Sequence, residues 1–273
     1  MSEIHLTVKK LDNSNLTSEI YLTVKKLDIS NLTHVLHLQQ KIINGLQDNE
    51  QHFILRRTKE DYENLLNGKN TNILGVFDDN KMIAQAVFET PSNQDTRSMP
   101  EFKSDIPNEN LVIFEAILVD PDYRGSGLMK KMLDIIEKNF IDDKRTHSII
   151  QIAIDNPASW INALHHGMSI TKVDLDPYDG CKVIYLEKKI NQQQMPLKIE
   201  PIKLSYSMHL GNNFHKKIPC LFAKMKHLIG KGCIGVGLDK ETNSLIWQKE
   251  KTPQRQLTAT QMMLLQTSER VVS

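Results

Sequence analysis

Five residues, Arg124-Gly125-Ser126-Gly127-Leu128, have the types and spacing of a phosphate-binding loop. Small residues that open a helix present backbone N–H groups with no helical acceptor, at the positive end of the helix dipole, and anions bind there. Before the loop, Leu111–Val119 is an apolar, β-branched run of strand length. It stops at Asp120-Pro121-Asp122, where Pro removes a ladder donor and Asp favours a turn. After the loop, Leu128, Met132, Leu133, Ile135 and Ile136 recur at helical spacing, with Lys130, Lys131, Glu137 and Lys138 on the other face. Rival phosphate loops fit less well, since Walker A requires Gly-Lys-Ser/Thr after a four-residue gap and the dinucleotide fingerprint requires three glycines ahead of a helix. A second glycine pattern, Gly230-x-Gly232-x-x-Gly235, runs into a strand-like segment and is read as coincidence. Adjacent His165 and His166 point about 100° apart on a helix, and the three cysteines lack ligand spacing, so no metal is expected.

The strand and helix around the loop belong to a longer alternation. Residues 2–17 are repeated almost unchanged as residues 18–33, the copies differing only at His5/Tyr21 and Asn13/Ile29. The second copy runs into a helical pattern (Val35, Leu38, Ile42, Leu46), so 20–27 is expected as the first strand. The first copy is then surplus: an extra edge strand, a disordered lead, or a competitor for the same sheet position. Thr58 and Asp61 have capping-box spacing ahead of a second helix. Strands at 72–77 and 82–88 read as a hairpin, and 90–109, with three prolines, as a long loop. Beyond the loop helix come a strand at 148–154, a short helix opened by Asn156-Pro157 and ending near Gly167, and strands at 168–173 and 182–187. This order describes an α/β (α+β) fold with a mixed sheet.

The sequence Val119-x-Pro121-x-x-Arg124-Gly125-x-Gly127-Leu128, with its strand and helix, resembles the acyl-CoA-binding segment of the GNAT superfamily of N-acetyltransferases. The element order agrees over roughly residues 18–190. The resemblance implies a GNAT-like fold and transfer of an acetyl group from acetyl-CoA to a primary amine, small molecule or protein, by direct attack in a ternary complex. It also implies that amides of Arg124, Gly125, Ser126, Gly127 and Leu128 hold the CoA pyrophosphate, and that an amide at Leu118 or Val119 polarises the thioester carbonyl. Glu115, four residues before Val119, takes the place of the general base; on the alternative reading, strand alternation turns it to solvent. Asn156 and Ser159, eleven and eight residues before Gly167, match the second CoA-contacting motif of the family. The tyrosine usual four residues before that glycine is replaced by Ala163, leaving His165, Tyr178 and Tyr185 as substitute acids. Asp122 stands where the family more often has Gln or Arg, which should weaken attraction for phosphate. Ala163 and the basic C-terminal region favour an alternative function, a GNAT-like CoA-binding sensor or interaction module.

At 273 residues, with 40% hydrophobic and 25% charged residues, the composition is that of a soluble globular chain. No apolar run approaches the roughly 18 residues that span a bilayer. With a polar N-terminus and three unpaired-looking cysteines, the expectation is a cytoplasmic protein without membrane contact. The net charge of +1 conceals an asymmetry, because residues 191–273 hold twelve Lys and Arg against five Asp and Glu. The chain therefore divides into a duplicated segment at 1–17, the GNAT-like domain at 18–190, a linker at 191–201 and a basic region at 202–273 that suits an acidic partner. In that last region a helix is expected at 220–229, a hairpin at 233–238 and 244–249, and a Met/Leu-rich helix at 258–267.

Overall fold

Among the described residues, apolar alternation and β-branched runs generate eleven strands that join in one sheet. The computed structural model describes residues 3–11, 17–93, 106–190, 202–205, 214–239, 241–242 and 244–249. The strands are β1 (Ile4–Leu11), β2 (Thr17–Lys26), β3 (Thr71–Asp78), β4 (Lys81–Glu89), β5 (Leu111–Val119), β6 (His147–Ala153), β7 (Ser169–Leu175), β8 (Lys182–Lys189), β9 (Ile202–Ser205), β10 (Cys233–Asp239) and β11 (Ser244–Lys249). Their spatial order is β1-β2-β3-β4-β5-β6-β8-β7-β10-β11-β9. Among the described residues β5–β6 is the parallel pair and the other neighbours are antiparallel, which makes the sheet mixed as the element order implied.

The duplicated sequence forms the first two strands. β1 pairs with β2 so that Ile4 faces Val24, Leu6 faces Leu22 and Val8 faces Ile20. Allowing for the repeat, this is one sequence paired antiparallel with itself about an axis through Leu6 and Leu22. Val8, Leu22 and Val24 are buried, so the first copy adds an edge strand; β2 takes the place beside β3.

Helices cover both faces. α1 (Leu32–Asn44) and α2 (Lys59–Asn67) bury Val35, Leu38, Ile42 and Tyr62 against Ile73, Met82, Val87 and Leu118. The α2 capping box is formed: Thr58 Oγ1 accepts from the Asp61 N–H (3.1 Å) and Asp61 Oδ2 accepts from the Thr58 N–H (2.7 Å). On the opposite face lie α3 (Leu128–Asn139) and α4 (Pro157–His165), which bury Leu128, Met132, Leu133 and Ile136, and Trp160, Ala163 and Leu164. Both ends of the 90–109 loop are fastened beside β5 by Arg145, whose guanidinium donates to the carbonyls of Thr90, Pro91, Asn108 and Leu111 at 2.7–3.0 Å.

The basic region continues this sheet and core. α5 (Phe214–Gly230) packs Ile218, Leu221 and Met225 into the same apolar cluster as α3 and α4. It begins six residues before the expected 220–229 helix and holds Pro219 inside it, where the missing N–H removes a single i to i−4 bond. β10 and β11 occupy the expected hairpin, and Gly235 pairs with Ile170 of β7. A Cβ on Gly235 would lie 3.2 Å from Ile170 Cβ, so glycine permits this close approach. The Gly230–Gly235 pattern spans the α5-to-β10 turn, helix before strand, the reverse of a phosphate loop. The expected linker at 191–201 and helix at 258–267 lie outside the described residues, as does most of the 90–109 loop. No helix among the described residues is long and apolar enough to cross a membrane.

Candidate active site

Both ladders of β5 change at Glu115. Against β4, Phe114 faces Phe88 and Ala116 faces Val87, so Glu115 is the extra residue of a β-bulge. Side-chain direction reverses there. Val112 and Phe114 before the bulge, and Ile117 and Val119 after it, pack toward α3 and α4, whereas Ala116 and Leu118 turn toward α1 and α2. Against β6, the parallel ladder ends at Phe114 and Ile150. Beyond that point no described strand pairs with the β5 backbone groups that point away from β4, and β5 and β6 part.

A cavity of about 200 Å³ lies in this parting. Its walls include Glu115 and Leu118 of β5, Gln151 of β6, Asn156 and Ser159 at the start of α4, and Arg57, just before α2. Glu115 does not face solvent. Arg57 Nη2 lies 2.5 Å from Glu115 Oε2, with the two side chains 7% and 13% exposed. The opposite walls carry His52, Asp176, Asp179 and Cys181. His52 Nε2 meets Asp155 Oδ2 at 2.9 Å, and Gln151 Nε2 donates to Asp176 Oδ2 at 2.6 Å. Burial, and then the Asp179 carboxylate, push the Cys181 thiol up to about 11, so it is protonated at neutral pH.

The glycine loop follows on from β5. Gly125 and Gly127 both have left-handed backbones (φ 77° and 75°), and a Cβ built on either meets no heavy atom within 4 Å. Gly127 is the N-cap of α3, and the first i to i−4 bond of that helix runs from the Lys131 N–H to the Gly127 carbonyl (3.1 Å). The Leu128, Met129 and Lys130 amides of the first turn have no acceptor within the helix, whereas the Arg124 N–H, expected at the phosphate, already donates to the Pro121 carbonyl (3.2 Å). Ser126 Oγ donates to the Tyr123 carbonyl (2.6 Å), and Arg124 is exposed. The turn ahead of the loop is anchored from three sides. Buried Asp120 accepts from Lys41 Nζ (2.7 Å) and lies 3.1 Å from Lys81 Nζ, and the Tyr123 hydroxyl donates to Asp78. Asp122 Oδ2 takes Lys41 Nζ at 2.8 Å, so its charge, expected to weaken attraction for phosphate, is matched by an ammonium.

Residues 40–167, from α1 through the loop and cavity to the end of α4, match the family model described as the acetyltransferase (GNAT) family. The chain carries a GNAT acetyltransferase domain. No curated protein matches the chain. Among solved structures, it is similar to an N-acetyltransferase from Staphylococcus aureus Mu50, with 12% identity and a TM-score of 0.48 over 62% of this chain and 97% of that one. It is also similar to the ribosomal-protein-S18-alanine N-acetyltransferase from Escherichia coli (16%, TM-score 0.46, 65% and 99%). A third is NAA60 from Arabidopsis thaliana in complex with acetyl-CoA (12%, TM-score 0.48, 63% and 99%).

Within the GNAT domain the structure brings Glu115, Leu118, Asn156 and Ser159 to one cavity. Arg124, Gly125, Ser126 and Gly127 lie outside its wall; Met129, next after buried Leu128, borders it. Val119 ends β5 and packs toward α3. Asn156 Oδ1 also caps α4 by accepting from the Ser159 N–H (3.2 Å). Ala163 is fully buried in the core. None of the substitute acids His165, Tyr178 and Tyr185 is among the residues that line the cavity, and Tyr178 is 82% exposed. A larger cavity, about 410 Å³, lies near the end of α3, where buried His166 meets Asp134 and Glu137, each at 2.9 Å, and Glu137 also pairs with Lys188. Among the described residues no group of three His, Cys, Asp or Glu side chains is placed to hold a metal. Sequence reasoning missed Arg57, which lies in an aperiodic stretch 58 positions from its partner.

Proposed function

We propose that the GNAT domain, within residues 18–190, transfers an acetyl group from acetyl-CoA to a primary amine by direct attack in a ternary complex. The observation that carries the reading is the sequence of features along one strand: a bulge bearing Glu115, the end of the β5–β6 ladder beside a cavity, and then a helix-opening loop with open space over Gly125 and Gly127. Those amides suit a pyrophosphate, being fixed donors at a helix N-terminus. The cleft between β5 and β6 suits the extended pantetheine arm, with Asn156 and Ser159 on its far side. An amide at Leu118 or Val119 would donate to the thioester oxygen, where charge develops as the amine adds. A carbon–nitrogen bond forms, the carbon–sulfur bond breaks, the amine proton passes to Glu115, and the CoA thiolate leaves.

Burial of Ala163 and the absence of a tyrosine from the cavity wall favour a second reading, a CoA-binding module with little turnover. Titration calorimetry with acetyl-CoA, with thiol release over a panel of amines and peptides, separates the two. Glu115→Gln is expected to keep acetyl-CoA affinity and to lower turnover roughly a hundredfold, the lower range of general-base effects. Turnover equal to wild type would remove Glu115 as proton acceptor.

A further inference from the structure

A bulge residue has no ladder partner to fix it, and among the described residues the ladder on the β6 side stops at Phe114, one residue before Glu115. Its direction is set instead by Arg57, through Nη2 on Oε2 at 2.5 Å. Among the described residues Oε1 of Glu115 accepts no hydrogen bond. The arginine is held in turn. The Gln39 side chain of α1 brackets its backbone, with Nε2 donating to the Arg57 carbonyl (2.8 Å) and Oε1 accepting from the Arg57 N–H (3.0 Å). Gln39 Oε1 also accepts from the Tyr62 hydroxyl (3.1 Å), which accepts from Gln85 Nε2 (2.8 Å). Tyr62 and Gln85 are fully buried and Gln39 nearly so. Gln85 faces Leu118 across the β4–β5 ladder, so the chain of bonds starts beside the site, crosses α2 and α1, and returns to the site at Glu115.

We propose that Arg57 is the positioning residue of this site, fixing one oxygen of Glu115 so that the other is presented to the amine proton. The assignment rests on the reading of Glu115 as proton acceptor. Stability does not require such an arrangement, since a buried ion pair is often no more stable than apolar residues of similar volume, and Ile54, Ala116 and Leu118 of the same cavity wall are apolar. The pair stands in the cavity wall, with both residues lining it. The other charged or titratable groups of that wall are His52, Asp176, Asp179 and Cys181; His52 and Asp176 are bonded to Asp155 and Gln151, leaving Glu115 to Arg57.

The test is a double-mutant cycle read as thiol release from acetyl-CoA, with spermidine, peptides bearing a free amino terminus or a lysine, and water alone as acceptors. Arg57→Ala is expected to lower kcat roughly a hundredfold, the scale of a misplaced catalytic group, with acetyl-CoA affinity by calorimetry unchanged. Methylguanidinium should restore part of the rate, which a lost packing contact would not allow. Added to Glu115→Gln, the same substitution should cost nothing further, because the two side chains act as one unit. An equal loss from Arg57→Ala in both backgrounds, or no recovery with methylguanidinium, overturns the assignment. Should the alanine variant not fold, Arg57→Lys decides, since it keeps the charge without the planar fork: a rate between wild type and Glu115→Gln supports the assignment and a wild-type rate refutes it. Full turnover by Glu115→Gln, or no thiol release by wild type with any acceptor, refutes the underlying reading itself, whatever the Arg57 variants do.

Discussion

Replacing Gly127 separates the cost of an unusual backbone from the loss of a phosphate site. Its φ of 75° disfavours an L side chain, yet a Cβ there meets nothing within 4 Å, so strain and not collision opposes substitution. Left-handed strain costs about 1–2 kcal/mol, and each kcal/mol lowers Tm by about 2–4 °C in a protein of this size. Gly127→Ala should therefore fold and melt a few degrees lower. Gly232, in the turn between α5 and β10, is the control, with φ 72° and equally open space. Gly127→Glu adds a carboxylate where a pyrophosphate is proposed. Two unit charges about 5 Å apart at an effective dielectric of about 20 repel by about 3 kcal/mol, which weakens binding more than about a hundredfold. Thermal melts and calorimetric titration with acetyl-CoA on Gly127→Ala, Gly127→Glu and Gly232→Glu read both quantities. A folded Gly127→Glu that binds acetyl-CoA as tightly as wild type refutes the loop as a phosphate site. So does a Gly232→Glu that loses as much affinity.

Two further predictions concern the turn that carries the loop. Burial raises the Asp120 carboxyl, but Lys41, the Asp122 amide and Lys81 together hold it below its ordinary value of 3.8. Its contribution to stability is thus present above that pH and lost as the pH falls through the lower folded value. Asp120→Asn should destabilise by about 1–3 kcal/mol at pH 7 and show a flatter acid limb than wild type in urea denaturation; parallel limbs would contradict the assignment. Tyr123 is pushed up to about 12, first by burial and then by its bond to Asp78. The folded state therefore holds this proton more tightly than the unfolded one, and stability is lost as pH rises from about 10 to about 12. Tyr123→Phe should flatten that alkaline loss, and a tyrosinate absorbance titration that shows no late-titrating group would rule the shift out.

Elements written in local chemistry could be read from the sequence alone. β5 and β11 stand at their expected bounds, and the Thr58–Asp61 box opens α2 as its spacing required. The loop was equally readable, since its glycines, flanking strand and amphipathic helix are contiguous. What escaped depends on distant partners. The bulge has no signature of its own in LVIFEAILV, because it appears only when β4 is laid beside β5. Arg57 and Gln39 look like ordinary polar residues until α1, α2 and β5 are assembled. The basic surplus of residues 191–273 gave no hint of where β10 goes, because charge describes the surface, while the place of β10 in the sheet depends on the meeting of Gly235 with Ile170.

The strand pair at the N-terminal edge suggests how a sheet can grow. A segment whose side chains match themselves when run backwards, with Ile4 opposite the equivalent of Val8 and Leu6 opposite its own counterpart, needs no second sequence to find a neighbour. Copying it once in tandem supplies both the new strand and its template in a single genetic event. The duplicate then inherits the outer position, and later changes in either copy meet unequal constraint: Val24 lies between Ile4 and Val76 on two neighbouring strands, while its counterpart Val8 pairs with Ile20 alone.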